Sequence, residues 1–233
     1  MNYRSAAKRA TRLVSVSKST KRDLEKIYNI PASKIQVIYP GVNFEEGADA
    51  GLGDFQEKYF LYFGTFEPRK NLDCVLEAYR EYCKITDRPR QLVLAGSHGW
   101  KVRLEIPNKL KNLVHIKRKV SEEEKNELYR GAYALLFLSF YEGFGFPVLE
   151  AASQGVPVIA ASATSLAEIG ENFVLFANPF RSSQVAGAMC ALEQDQVLYE
   201  TLKSQGLKEV EKFTWATTAR KTLQLFEEVS LCV

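Results

Sequence analysis

Two acidic side chains, Glu142 and Glu150, frame a glycine-containing turn with the spacing E-x7-E. The turn carries Gly143 and Gly145, which permit backbone conformations with positive φ. Pro147 follows where the first turn of a helix accepts proline, because no backbone donor is needed there. A strand, a glycine turn and a helix N-terminus together offer backbone N–H groups and a favourable dipole to an anion. The segment therefore predicts an anion-binding site framed by two carboxylates.

Two adjacent cations, Arg69 and Lys70, follow the first strand predicted for the main part of the chain. Because parallel strands end at one edge of a sheet, we expect both cations to face the same crevice as the glycine turn. An arginine binds two phosphate oxygens at once, and a lysine adds a compact charge. The pair therefore suits a diphosphate, although a solvated loop explains two neighbouring cations when no other residue is considered.

The elements that must position these residues alternate between strand and helix. Short apolar runs predict buried strands at residues 59–63, 91–95, 113–116, 134–139, 156–160 and 173–176. Apolar spacing and capping signals predict helices at 72–83, 121–131, 147–155, 182–193, 195–210 and 215–230. Alternation of this kind implies an α/β fold built on a parallel sheet with right-handed crossovers.

The N-terminal segment has a shorter strand–helix–strand pattern of its own. The predicted elements are strands at 13–16 and 35–39 around a helix at 18–28, with Ser17 as its N-cap and Pro31 after its end. Pro40 and Gly41 break this pattern. Residues 45–57 are rich in glycine and acidic side chains and predict a linker or irregular loop.

The composition is that of an ordinary globular protein, with 233 residues, 46% hydrophobic and 25% charged. The formal net charge of +3 is too small to indicate a nucleic-acid partner. Cations do gather in two places, residues 1–22 and 101–119. Solvated helix and loop faces explain both clusters, and contact with an acidic membrane surface is the alternative.

Cysteine usage and hydropathy indicate the cellular compartment in which the protein is expected. The four cysteines lie far apart or on predicted helices and form no C-x-x-C pair, which is typical of reduced thiols in a cytosolic protein. No apolar run is long enough to span a membrane, and the N-terminus lacks the apolar core of a signal peptide. We therefore expect a cytoplasmic protein, with peripheral attachment to the inner face of the membrane as an open alternative.

Three segments resemble the retaining glycosyltransferases of family 4, which belong to glycosyltransferase group 1 and have the GT-B fold. They are GTFEPRKNL at 64–72, LAGSHGW at 94–100 and EGFGFPVLE at 142–150. In that fold two Rossmann-like domains face each other across a cleft. The resemblance covers about residues 12–230. It implies the second, donor-binding half of such an enzyme, a Rossmann-like parallel sheet with helices on both faces.

The resemblance also divides the chain. Residues 1–44 are similar to the tail of an N-terminal Rossmann domain and the interdomain crossing. Residues 45–58 are expected to be a linker or loop. Residues 59–233 are expected to form the nucleotide-sugar-binding domain with its C-terminal helices. The acceptor-binding first domain would then come from a longer protein or a separate subunit. The oligomeric state stays open.

The resemblance assigns Arg69 and Lys70 to the phosphates of the donor and gives Gly64 a backbone role beside them. Gly96 belongs to a glycine turn next to the nucleotide. The turn after Glu142 is expected to complete the donor site with backbone N–H groups, at Gly143, Phe144, Gly145 and Phe146.

The same resemblance separates the two glutamates. Glu150 would accept hydrogen bonds from the ribose hydroxyls, and Glu142 would face the donor sugar. A carboxylate is a good partner for a diol and a poor neighbour for phosphate. The predicted catalytic residues are accordingly Glu142, Arg69 and Lys70.

No D-x-D pair occurs in the chain, so we expect no divalent metal at the diphosphate. Arg69, Lys70 and the helix N-terminus at Pro147 would stabilise the leaving group instead. Three further residues lie near the motifs. His98 is predicted to be a surface histidine, and His115 is assigned no role. The segment ATSLAEIGENF departs from the family pattern S-L-P-E-V-x-G-D-A, which leaves a sugar-side role of Glu168 open.

The combined prediction is the donor-binding half of a retaining, metal-independent hexosyltransferase of polysaccharide biosynthesis. Its donor would be GDP-mannose or, as second choice, UDP-glucose, its acceptor a glycan or lipid-linked sugar, and it would use no other cofactor. The chain by itself is expected to bind donor without transferring sugar. A non-catalytic nucleotide-sugar-binding module or partner subunit is an open alternative. A dinucleotide-binding Rossmann domain is disfavoured, because no G-x-G-x-x-G with a later acid follows an early strand.

Overall fold

The computed structural model describes residues 3–43, 55–97, 99–100 and 104–231. Within these ranges the strands are β1 (Leu13–Ser15), β2 (Ile35–Val37), β3 (Tyr59–Phe63), β4 (Leu92–Ala95), β5 (Val114–Lys117), β6 (Ala132–Phe137), β7 (Val158–Ala161) and β8 (Val174–Ala177). The α-helices are α1 (Tyr3–Arg9), α2 (Lys18–Tyr28), α3 (Leu72–Ile85), α4 (Glu122–Gly131), α5 (Phe146–Ser153), α6 (Thr164–Ile169), α7 (Ser182–Gln194), α8 (Gln196–Val210) and α9 (Trp215–Ser230).

Strands β3 to β8 form one parallel sheet with the order β5-β4-β3-β6-β7-β8. The predicted α/β fold is thereby confirmed. Chain order changes direction between β3 and β6, and doubly wound sheets bind ligands at the carboxyl ends of strands beside such a point. The residues that follow β3 and β6 are therefore the first to consider as a site.

The two central strands of this sheet are covered on both faces. In β3, Phe60 and Tyr62 pack with α3 and α7, whereas Tyr59 and Leu61 pack with α4 and α5. A strand between two helical layers needs a continuous apolar run instead of alternation, and YFLYF supplies one. The expected helices on both faces are present.

Strands β1 and β2 pair in parallel with each other, apart from the main sheet. Ser17 caps α2 by accepting a hydrogen bond from the Thr20 amide, as predicted. Asn29, at φ 53°, ends this helix before Pro31 is reached. The predicted domain boundary stays a prediction, because residues 44–54 of the linker lie outside the described ranges.

The structure shifts most of the predicted strand bounds by one or two residues and adds two helices. The strand predicted at 134–139 is β6, which begins earlier because α4 runs into it directly after Gly131. The strand predicted at 156–160 is β7, which begins at Val158. Helices α1 and α6 were not predicted. Helix α6 follows Ala163, whose methyl group cannot cap a helix, so the sequence has no start signal there.

Candidate functional site

The glycine turn lies between β6 and α5, as predicted. Gly145 is the N-cap of α5 at φ 116°. A Cβ atom there would also lie 2.7 Å from Leu166 Cδ2, so the position requires glycine. The expectation of positive φ at Gly143 was wrong: its φ is not positive, and a Cβ would meet only Thr20 Oγ1, at 3.8 Å. Pro147 is the second residue of α5, one later than expected.

Lys70, Arg69 and Glu142 form one ion cluster at the carboxyl ends of β3 and β6. Lys70 Nζ lies 2.6 Å from Glu142 Oε1, and Arg69 Nη1 lies 3.0 Å from Glu142 Oε2. Lys70 and Glu142 are only 9% and 8% exposed. Lys70 Nζ also lies 4.9 Å from the centroid of the Phe137 ring. The family resemblance implied separate roles for the glutamate and the cations, and the fold brings them into direct contact.

Arg69 differs from Lys70 in being partly open to solvent. Its Nη1 donates to the Tyr141 carbonyl at 2.6 Å, and its Nη2 contacts Glu67 Oε1 at 2.6 Å. Partial burial disfavours the charged guanidinium, but Glu142 and Glu67 outweigh this effect and raise the pKa of Arg69. The arginine therefore stays charged and has its planar group fixed by three carboxylate or carbonyl partners.

Helix α6 holds the backbone of Glu142 from the other side. The Glu142 amide donates to Thr164 Oγ1 at 3.0 Å, and the Ser165 hydroxyl donates to the Glu142 carbonyl at 2.9 Å. Both residues are neighbours at the start of α6. Sequence reasoning missed them, because α6 has no cap signal and the contacts join distant parts of the chain.

Glu150 lies apart from this cluster, on α5 where it faces α4. Its carboxylate accepts a hydrogen bond from the Tyr129 hydroxyl at 2.9 Å and contacts Lys125 Nζ at 3.2 Å. Burial and the nearby Glu150 charge raise the pKa of Tyr129 well above its usual range, so the phenol stays a donor. Glu150 and Lys125 also line a cavity of about 330 Å³, together with Gly41, Phe146 and Trp215.

Gly64 and Gly96 bring the ends of β3 and β4 unusually close together. Gly96 has φ 142°, and a Cβ atom on it would lie 2.0 Å from the Gly64 carbonyl oxygen. A Cβ on Gly64 would lie 3.8 Å from Lys70 Cε, so this glycine adjoins the ion cluster. The neighbouring His98 lies outside the described residues.

The aromatic residues of the turn point in different ways. Phe144 is buried and packs on Tyr39 with ring centroids 6.2 Å apart, whereas Phe146 is 39% exposed.

His115 lies on β5 at the sheet's edge, with its ring centroid 5.4 Å from that of Phe55.

Glu168 lies on α6 and contacts the N-terminal segment. Its carboxylate accepts hydrogen bonds from the backbone amides of Lys18 at 2.8 Å and Ser19 at 3.0 Å, and from the Tyr39 hydroxyl at 2.6 Å. It thus caps α2 from another part of the chain. Burial and the hydrogen bond to Glu168 raise the pKa of Tyr39.

In the described part of the chain, no three His, Cys, Asp or Glu side chains come together as the ligands of a metal ion would. Within the same ranges, no helix combines the length and apolar character needed to cross a bilayer.

Several solved structures share the fold of this chain, among them a glycosyltransferase from Rickettsia africae ESF-5. Sucrose-phosphate synthase from Thermosynechococcus elongatus superposes with a TM-score of 0.83 at 22% identity, covering 99% of this chain and 61% of that one. Anabaena Alr3699/HepE in complex with UDP and glucose gives a TM-score of 0.81 at 17% identity, covering 96% and 65%. At these identities the likeness shows the fold alone.

Sequence comparisons define the family. O-antigen chain mannosyltransferase B of Escherichia coli is 28% identical over 228 residues, which are 92% of this chain and 60% of the relative. O-antigen chain mannosyltransferase RfbU of Salmonella typhimurium is 30% identical over 192 residues, 81% of this chain and 53% of the relative. The chain therefore spans less than two thirds of the length of these relatives. Residues 1–46 match the profile of Glycosyltransferase Family 4, and residues 49–209 match that of Glycosyl transferases group 1. The chain belongs to the group 1 glycosyl transferases.

Proposed function

We propose that this chain is the donor-binding half of a retaining, metal-independent hexosyltransferase that uses a nucleotide sugar. The observation that carries the proposal is the cluster of Lys70, Arg69 and Glu142 at the carboxyl ends of β3 and β6. Two cations and a carboxylate at the switch point of a doubly wound sheet match a ligand that carries both a diphosphate and a hydroxylated ring.

Lys70 and Arg69 are proposed to hold the diphosphate, with Gly64 beside them. Glu142 contacts both cations, so the diphosphate would share or replace its contacts. The N-terminus of α5 adds backbone N–H groups to the positive charge. During transfer these groups would stabilise the charge that develops on the leaving nucleotide, which is why no metal or other cofactor is required by the proposal.

Glu142 is proposed to contact the sugar and Glu150 the ribose. The cavity beside Glu150, about 330 Å³, is within the range of roughly 300–1,000 Å³ that ligand pockets occupy. Tyr129 and Lys125 hold the Glu150 carboxylate while leaving it oxygen lone pairs for a diol. Glycine at 96 and the backbone of residues 143–146 complete the proposed donor site.

Mannose is the first choice for the sugar, because two similar proteins are named mannosyltransferases. Glucose, with UDP-glucose as the donor, is the second choice, since the structure of Anabaena Alr3699/HepE in complex with UDP-glucose has the same fold. The acceptor is proposed to be a glycan or lipid-linked sugar, reached in the cytoplasm or at the inner face of the membrane.

An acceptor-binding domain is the proposed partner, in the same protein or as a separate subunit. Apolar side chains are exposed on β1 and α9, with Val14 at 46%, Leu223 at 59% and Phe226 at 62%. Arg12, the residue before β1, forms an ion pair with Glu228 of α9 at 3.2 Å. Exposed apolar surface of this kind marks contact sites. We propose that the part of the relatives that this chain does not match packs on this apolar surface.

A thermal-shift screen against UDP-, GDP-, ADP- and dTDP-sugars tests the proposal. A ligand at about 100 times its Kd should add roughly 2.7 kcal/mol of stability. We expect the largest shift with GDP-mannose or UDP-glucose and the same shift in EDTA. No shift with any of these ligands would contradict the proposal.

A further inference from the structure

Thr164 has a backbone conformation that threonine rarely adopts. Its φ is 48°, in the left-handed region. A β-branched residue there is a genuine outlier, and such outliers persist only where their surroundings hold them. Glycine or asparagine would fit this conformation more easily. The strain at Thr164 therefore indicates that its side chain makes a contact that holds the backbone in this conformation.

That contact is with Glu142. The Thr164 hydroxyl oxygen accepts a hydrogen bond from the Glu142 amide at 3.0 Å. The next residue, Ser165, donates to the Glu142 carbonyl at 2.9 Å and is fully buried. Both backbone groups of Glu142 are thus bound by consecutive hydroxyls of α6.

The same helix limits where the rest of the turn can go. Leu166 Cδ2 and Ile169 Cδ1 would lie 2.7 Å and 3.0 Å from a Cβ atom on Gly145. Helix α6 therefore fits closely against both ends of the turn. On the opposite side, Lys70 binds the Glu142 carboxylate at 2.6 Å.

We propose that Thr164 is a positioning residue that fixes the Glu142 carboxylate for the sugar end of the donor. The proposal rests on the proposed function, because it takes Glu142 as the sugar contact. Its ligand is the hexosyl part of a nucleotide sugar and not the nucleotide. The hydroxyl of this strained residue is bonded to the turn and not to a group of its own helix.

The first test measures amide hydrogen exchange at Glu142 in the full chain. Thr164→Val keeps the shape of the side chain and removes the acceptor, so exchange at Glu142 should become about tenfold faster. Thr164→Ser should restore slow exchange. Thr201→Val, an exposed threonine on α8, is the matched control and should change nothing. Unchanged exchange in Thr164→Val would overturn the proposal.

The second test compares a nucleotide sugar with its nucleotide by calorimetry, using whichever of GDP-mannose and UDP-glucose the unmodified chain binds. Thr164→Val should weaken the nucleotide sugar about three- to tenfold and leave GDP or UDP unchanged. Thr164→Ser should bind both normally. Thr164→Gly allows the same backbone conformation without strain and removes the hydroxyl, so it should lose the same sugar preference as Thr164→Val.

The outcomes separate the two proposals. If the unmodified chain binds none of these nucleotides, the proposed function fails and this inference fails with it. If it binds them and Thr164→Val weakens nucleotide and nucleotide sugar equally, or weakens neither, only the role of Thr164 is wrong. A loss in Thr164→Val that Thr164→Ser does not rescue would point to packing alone and would also overturn it.

Discussion

Glu142 is bound at every polar group it has. Its carboxylate contacts Lys70 and Arg69, and its amide and carbonyl contact Thr164 and Ser165. A nearly buried carboxylate of this kind is stable only because its charge is matched by the adjacent cations. The same arrangement makes Glu142 a competitor of phosphate for Lys70 and Arg69.

Arg69→Ala should lower the affinity for GDP or UDP about tenfold and leave the nucleoside almost unchanged. A charge-assisted hydrogen bond is worth roughly 1.5–3 kcal/mol, and solvent at the half-open Arg69 reduces that figure. Calorimetric titrations of nucleotide and nucleoside measure the difference. Arg80→Ala is the matched control, because Arg80 is also exposed and paired with a glutamate. Equal losses for nucleotide and nucleoside would assign Arg69 to the fold instead.

Glu142→Gln should tighten GDP or UDP while weakening the preference for the attached sugar. Removing one negative charge beside the phosphates is worth roughly 1 kcal/mol, or about a fivefold gain in nucleotide affinity. Titration of the variant with nucleotide and with nucleotide sugar gives both numbers. The contrary result, weaker nucleotide binding, would mean that Glu142 mainly holds the cations in place.

Glu150→Ala should weaken ribonucleotides about tenfold more than their 2′-deoxy forms, because only the ribose offers a full diol to the carboxylate. Titrations with GDP and 2′-deoxy-GDP, or the UDP pair, measure this ratio. Glu211→Ala, at an exposed site after α8, serves as the control. The ribose assignment fails if both forms lose the same affinity.

Helices α2 and α6 connect the N-terminal segment to the glycine turn between β6 and α5. Glu168 of α6 binds the first amides of α2, and Thr20 of α2 donates to the Gly143 carbonyl at 3.2 Å. The Tyr141 hydroxyl donates to Asp23 of α2 at 2.6 Å, and this bond, with burial, raises the pKa of Tyr141 to about 12. Helix α2 is therefore hydrogen-bonded to both chain neighbours of Glu142.

Glu168→Ala should destabilise α2 by roughly 1–2 kcal/mol, since it removes an anionic cap from the helix N-terminus. Amide exchange over residues 18–28 should become faster, and exchange in β3 should stay slow. The exposed Glu171, just after α6, gives the control variant Glu171→Ala. If exchange in α2 does not change, Glu168 is not an effective cap.

Local signals predicted the elements that local interactions determine. The helix at 18–28 and the strand at 59–63 were predicted with the observed bounds, and the capping box of Ser121 and Glu124 is present. Helix α6 was missed because Ala163 cannot cap and Thr164 is strained. The motifs marked Glu142, Arg69 and Lys70 as candidates. Their mutual contact depends on strands β3 and β6 being neighbours, which no local pattern reveals.

Among the described residues, apolar side chains are exposed on β1 and on α9, and Arg12, just before β1, pairs with Glu228 of α9. The relatives are longer than this chain, which covers 60% of O-antigen chain mannosyltransferase B. Donor binding and acceptor binding are therefore proposed to belong to different domains.

The chain alone should bind donor and transfer sugar far below the usual enzymatic range of about 1 s⁻¹ or more. Holding the acceptor against the sugar contributes on the order of 7–11 kcal/mol, and domain closure excludes water. An assay with labelled GDP-mannose and UDP-glucose against glycan and lipid acceptors measures the rate. Transfer should appear when an acceptor-binding domain is fused or added. Turnover near 1 s⁻¹ without an acceptor-binding domain would refute the assignment of donor and acceptor binding to different domains.

Calorimetric titration of the EDTA-treated chain with GDP-mannose and UDP-glucose, beside the Arg69→Ala and Arg80→Ala variants, decides whether the cluster of Lys70, Arg69 and Glu142 binds a nucleotide sugar. We expect one saturable site for at least one donor, about tenfold weaker in Arg69→Ala and unchanged in Arg80→Ala. No binding of either donor, or binding that Arg69→Ala leaves intact, would contradict it.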